Sequence, residues 1–118
     1  MTTDTKTVAD GFTALCKAGK FDDAGAQYWG EDVVSLENGG DMARAEGLAA
    51  VKGKGEWWAA NHEIHSAETE GPFVNGDQFA VVFRMDVTQK QSGQRIQMHE
   101  IATYTVKGGK IVEERFYY

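Results

Sequence analysis

The chain reads as an α+β domain, with helices first and then an antiparallel sheet whose one face they cover. Three observations predict this. Apolar residues recur at helical spacing through the first half and with a period of two from Ile64 onward. Asparagine and glycine sit between the alternating runs, where hairpin turns need positive backbone angles. A length of 118 residues, with 42% hydrophobic and 25% charged residues, suits one globular core. No repeat, low-complexity tract or Pro/Ser-rich linker divides it, so residues 1–118 are expected to form a single domain.

Val8, Phe12, Leu15 and Cys16 share one helical stripe, and Gly19 follows where a left-handed stop belongs. Phe21 to Trp29 reads as a short second helix, with Asp22 and Asp23 near the positive end of its dipole and Gly30 stopping it. Val33 to Glu37 is a short strand. After a loop through Asn38, Gly39 and Gly40, a third helix presents Leu48, Val51, Gly55, Trp58 and His62 on one stripe, weakened by Gly53 and Gly55. Four strands follow. Asn75-Gly76 makes the first hairpin turn, and Pro72, lacking an N–H, marks an edge or a bulge. Phe79 to Thr88, Arg95 to Val106 and Ile111 to Tyr118 complete the sheet, with turns at Ser92-Gly93 and Gly108-Gly109.

Counting faces brings out two carboxylates. Phe79, Val81, Phe83, Met85 and Val87 form an apolar face, while Arg84, Asp86 and Thr88 point away from it. Glu100 interrupts the apolar set Ile96, Met98, Ala102, Tyr104 and Val106, and Glu114 interrupts Val112, Phe116 and Tyr118. A two-residue Gly108-Gly109 loop would pair Lys107 with Lys110 and send the two acids to opposite faces. A three-residue loop would pair Val106 with Lys110, set Glu100 opposite Phe116 and Glu114 opposite Ala102, and keep both acids on the apolar face. The second is expected, because it joins the apolar sets. It places the two Cα atoms roughly 7–8 Å apart as diagonal neighbours. Burial and mutual repulsion would then raise a carboxyl pKa toward the range that general acid–base chemistry uses. A structural network in which Tyr, His or Arg satisfies each acid is the competing reading.

Composition narrows the function. A formal charge of -6 argues against nucleic acid and against an acidic membrane surface, both of which select for clustered positive charge. No run approaches the ~20 apolar residues of a membrane span. Met1 to Thr7 has no apolar core of a secretory signal, and the lone Cys16 fits a reducing compartment, so a cytoplasmic location is expected. His62-Glu63-Ile64-His65 is one residue short of the zinc-protease spacing, and no metal is expected. Gly53-Lys54-Gly55 lacks the end of a phosphate loop and reads as close packing.

The runs Gly71-Pro72-Phe73-Val74-Asn75-Gly76-Asp77-Gln78-Phe79, Met85-Asp86-Val87-Thr88, Met98-His99-Glu100, Tyr104-Thr105-Val106 and Gly109-Lys110-Ile111-Val112-Glu113-Glu114-Arg115-Phe116-Tyr117-Tyr118 resemble a SnoaL-like protein of the nuclear transport factor 2 and ketosteroid isomerase-like superfamily. The resemblance runs from about Val8 to Tyr118. It implies a cone-shaped fold with a pocket between N-terminal helices and a curved antiparallel sheet. It also implies a homodimer formed through the outer sheet face, here Arg84, Asp86, His99, Ile101, Thr103, Glu113, Arg115 and Tyr117. Where polyketide cyclases of the superfamily carry His and Asp on the last strand, this chain has Glu114 and Phe116, which departs from the cyclase pattern. Isomerase-like members often place an acid at the end of the first strand, here Glu37.

The function expected is a cofactor-independent pocket for a small apolar molecule. It would act as an isomerase, cyclase or dehydratase on a carbonyl compound, with one of Glu100 and Glu114 as base and the other as protonated acid, and Glu37 as a further candidate. Tyr28, Trp58, Phe83, Met98, Tyr104, Phe116 and Tyr118 are the expected substrate-binding residues. The alternative is a non-catalytic ligand-binding or dimeric adaptor module on the same fold.

Overall fold

The stripe Val8, Phe12 and Cys16 forms the buried face of the first helix, α1 (Thr2–Lys17), in the computed structural model, which describes residues 2–40 and 43–118. Gly19, at φ 76°, ends it, and the Lys20 N–H donates back to the Leu15 carbonyl at 2.8 Å. The second helix, α2 (Phe21–Tyr28), stops one residue early, and Gly30 is not its stop. Trp29 is already extended and opens β1 (Trp29–Leu36), where Gly30 lies against the last strand. A three-residue strand that periodicity cannot reveal, β2 (Arg44–Glu46), precedes α3 (Leu48–Asn61). The four long strands are β3 (His62–Asn75), β4 (Gln78–Gln89), β5 (Arg95–Lys107) and β6 (Lys110–Tyr117).

These strands make one curved, unclosed sheet in the order β2-β1-β6-β5-β4-β3. The expected α+β architecture of helices on a curved sheet holds. One pair, β1 and β6, runs parallel, so the sheet is mixed. The helices cover one face, and the core there combines Val8, Phe12, Val33, Phe79, Val81, Tyr104 and Ile111. Pro72 does lie on an edge strand at a register shift, between Glu70 and Phe73. The first hairpin closes with Asn75 opposite Gln78, so its two loop residues are Gly76 and Asp77.

The last hairpin differs from expectation, with consequences for the acids. Lys107 pairs with Lys110, so the loop has two residues, Gly108 at φ 58° and Gly109 at φ 77°. A turn with positive φ at both positions matches the twist of the strands, and Gly-Gly supplies both at no steric cost. Parity is restored one step later: Val106 faces Ile111 but Thr105 faces Glu113, leaving Val112 as an extra residue in β6. Beyond this bulge Tyr104 lies opposite Glu114 and Ala102 opposite Phe116. The apolar sets therefore share a face as expected, but in a different register. Glu114 faces Tyr104 and not Ala102, and Glu100 is four residues along β5 from Tyr104. At the usual rise per residue the Glu100 and Glu114 Cα atoms are about 13–14 Å apart, so the expected diagonal pair does not form.

Candidate functional site

Burial changes along the inner face of β5. Val106, Tyr104 and Ala102 are buried, whereas Glu100, Met98 and Ile96 are half-buried. The packed end lies under α1, where the Tyr104 ring stacks on Phe79 at 4.8 Å and tilts against Phe12 at 4.7 Å. The other end is more open to solvent, and the acids fall on the border between the two.

Glu114, only 4% exposed, is the deepest of them. Ser35 on β1 donates to its Oε2 at 2.7 Å, and the Trp29 indole Nε1 donates to its Oε1 at 3.2 Å. Both donors come from β1 because that strand lies parallel to β6, with Ser35 directly opposite Glu114. Gly25 lets the indole reach in, since a Cβ there would sit 2.5 Å from Trp29 Cζ3. Burial raises the Glu114 pKa, against the lowering effect of Ser35, Lys54 and Trp29.

Lys54 is the cation of the cluster. It projects from α3 between Val51 and Trp58, and its Nζ donates to Ser35 Oγ at 2.7 Å and to Glu37 Oε2 at 2.5 Å. The Lys54 and Glu37 side chains are 15% and 19% exposed. The ammonium also lies 5.0 Å from the centroid of the Phe116 ring. Glu37 follows β1 and accepts from the Tyr118 hydroxyl through Oε1 at 2.9 Å. A chain of polar contacts thus runs from Trp29 through Glu114, Ser35 and Lys54 to Glu37 and Tyr118.

Glu100 stands apart from this chain. Among the described residues no hydrogen bond or ion pair engages its carboxyl. Its cross-strand neighbour is Phe83. Burial pushes its pKa up to about 7. The Glu37 charge adds to that, Lys54 opposes it, and Glu114 contributes least. Glu37, and not Glu114, is therefore the acid that Glu100 responds to most. A carboxyl balanced near neutrality can take up or release a proton at physiological pH.

The structure sorts the remaining expected residues into two groups. Phe83, Met98 and Phe116 lie with Glu100 on the inner face of the sheet, Tyr118 reaches Glu37 from just beyond β6, and Trp58 is one turn beyond Lys54 on α3, stacked on His62 at 4.3 Å. Tyr28 and Tyr104 do not join them. Tyr104 is buried in the aromatic stack at the packed end. Tyr28 is wedged against α1, where a Cβ on Gly11 would come within 1.9 Å of its hydroxyl oxygen. Three residues of the cluster, Ser35, Lys54 and Trp29, were not among the expected site residues. An inward lysine between Val51 and Trp58 at helical spacing is the one signal that pointed to them.

The opposite, outer face carries a different feature. A concavity of about 350 Å³ is lined there by Ser66, Glu68, Arg84, Asp86, Gln97 and His99, among others. Its charges are largely paired, Arg84 with Glu70 at 3.0 Å and Asp86 with Arg95 at 2.7 Å. The sheet lies between it and the Glu100 carboxyl. Ile101 and Tyr117, directly paired across β5 and β6, lie on this face at 44% and 49% exposure.

Known structures share this fold. A candidate SnoaL-like polyketide cyclase from Mesorhizobium loti is 48% identical over 96% of this chain and 97% of its own, with a TM-score of 0.94. A nuclear transport factor 2-like protein from Burkholderia xenovorans is 19% identical over 99% and 90% of the two chains, at a TM-score of 0.78. A ketosteroid isomerase-like fold from Catenulispora acidiphila, in complex with trimethylamine, is 16% identical over 89% and 80%, at 0.71. The last two are alike in fold alone. No curated protein matches the chain. No described helix is long and apolar enough to cross a membrane. The SnoaL-like domain pattern matches residues 1–118, and together with the near-complete overlap with the Mesorhizobium loti structure this shows that the chain belongs to the SnoaL-like domain family.

Proposed function

We propose that this protein transfers protons on a small, largely apolar carbonyl compound, as an isomerase, cyclase or dehydratase that needs no cofactor. The observation that carries the reading is Glu100: a half-buried carboxyl with no partner among the described residues, held on an apolar surface of Phe83, Met98 and Phe116. Ionised, it removes a proton from carbon next to the carbonyl. The C–H electron pair forms a C=C bond, the carbonyl π pair moves to oxygen, and Glu100, now protonated, returns the proton at another position. Glu114 is spoken for by Trp29 and Ser35, so it positions Lys54 through Ser35 and does not meet the substrate. Glu37 holds Lys54 from the other side.

The test is deuterium exchange into a panel of cyclic ketones and enones in heavy water, followed by NMR. The wild type should accelerate exchange for at least one member, and Glu100→Gln should lower that rate about 10²-fold or more. Binding without exchange would make this a ligand-binding module, and unchanged exchange in Glu100→Gln would remove Glu100 from the chemistry.

The same proposal includes a homodimer through the outer face, supported by the exposed Ile101–Tyr117 pair flanked by Thr103 and Arg115. A cytoplasmic location belongs to it too, since a lone cysteine can form no disulfide within the chain and suits a reducing compartment. Light scattering should give twice the chain mass for the wild type and the chain mass for Tyr117→Asp. A monomeric wild type at about 50 μM would refute the dimer.

A further inference from the structure

An ammonium group carries three N–H donors. At Lys54 the cluster uses two, toward Glu37 Oε2 and Ser35 Oγ, and the third has no protein acceptor among the described residues. The side chain nevertheless keeps 15% exposure, and the ring of Phe116 supports it at 5.0 Å. Phe116 lies opposite Ala102, two residues from Glu100 on the same face of β5, so the ammonium and the Glu100 carboxyl flank one stretch of the inner sheet face. Glu37 and Ser35 hold the charged end in place, which limits the reorganisation needed when charge develops nearby.

We propose that Lys54 is the electrophilic catalytic residue of the site, donating its remaining N–H to the substrate carbonyl oxygen and holding the negative charge of the enolate. This deepens the proton-transfer reading and rests on it. It replaces the expectation that a second, protonated glutamate plays the acid, because Ser35 and Trp29 already occupy both oxygens of Glu114. While the C–H bond breaks toward Glu100, the electron pair arriving on oxygen is met by the Lys54 N–H. The ammonium keeps its proton throughout, so it needs no base of its own. The ligand class follows: planar compounds that present an enolate-like or phenolate-like oxygen to Lys54 and an apolar body to Phe83, Met98 and Phe116.

The experiment compares 4-nitrophenol with nitrobenzene, two probes of nearly equal shape of which one can present an oxyanion. Binding is followed by titration, and the ionisation of bound nitrophenol by its absorption band about one pH unit below its solution pKa. The wild type should bind both, with nitrophenol bound as the phenolate. Lys54→Met should bind nitrobenzene within about twofold of wild type, lose about tenfold or more for nitrophenol, and lose the phenolate band. Lys54→Arg should keep the band, which separates charge donation from a merely structural role. Nitrophenol bound to wild type in its neutral form, or a band that survives in Lys54→Met, would overturn the assignment of Lys54 while leaving the pocket intact. Failure of the wild type to bind either probe would instead overturn the pocket reading, and this inference with it.

Discussion

Replacing Glu100 by Gln should make the protein more stable at alkaline pH and leave it unchanged at acid pH. The carboxyl's folded pKa is raised from 4.5 to about 7. The native state therefore binds its proton more tightly than the unfolded chain does. Stability from this group is fully present below about pH 4.5 and is lost as pH rises through about 7. Each pKa unit corresponds to about 1.4 kcal/mol, so the full shift amounts to about 3.5 kcal/mol, which partial exposure of the carboxyl reduces to about 2 kcal/mol. Gln has a similar shape and does not titrate. Urea unfolding of both proteins at pH 4.5 and pH 8 measures the difference directly and cancels the titration of every other group. The variants should match at pH 4.5, and Glu100→Gln should be about 2 kcal/mol more stable at pH 8. Equal stability at both pH values, or a less stable variant at pH 8, would refute the reasoning that Glu100 is a desolvated acid without a partner.

Other perturbations test the frame that holds the site. Gly25→Ala should destabilise by about 1–3 kcal/mol despite alanine's better helix propensity, because the new methyl meets the Trp29 ring at 2.5 Å, whereas Gly55→Ala, with nothing within 4 Å, should stabilise by about 0.5–1 kcal/mol; chemical denaturation reads both. Ser35→Ala should cost about 1.5–3 kcal/mol in the same assay, since it removes the hydroxyl that links Lys54 to buried Glu114. Cys16, whose thiol burial pushes up to about 12, should react with a thiol reagent at pH 8 only as fast as the protein unfolds.

Most of the architecture was legible because it rests on periodicity. The period-two runs from Ile64 onward became four strands, and the apolar faces of β4 and β5 fell where alternation put them. The site was harder to read, for physical reasons that can be named. Register near Gly108-Gly109 depends on a turn type and on a single extra residue, Val112, and hydrophobic alternation alone does not locate a bulge. Both loop choices therefore had something right: the two-residue turn was observed, and the shared face survived through the bulge. The observed register instead sets Glu114 away from Glu100, opposite Tyr104 on one side and Ser35 of β1 on the other. Ser35 and Trp29 were not foreseen as partners of Glu114 because a parallel β1–β6 pairing is a long-range contact with no local mark in the sequence. Lys54, flanked by glycines, was weighed only as part of a phosphate loop, though its place on the inward stripe between Val51 and Trp58 was the sign of a buried partner.

Glu100 also sets the most direct measurement, a carbon-13 NMR titration of the glutamate side-chain carboxyls from pH 3 to 9, with Glu100→Gln supplying the assignment. A Glu100 midpoint near about 7 is the expected result, shifted by burial and by the charge of Glu37. A midpoint near about 4.5, that of a solvated carboxyl, would contradict an acid–base role for this residue and leave the more open end as a binding surface only.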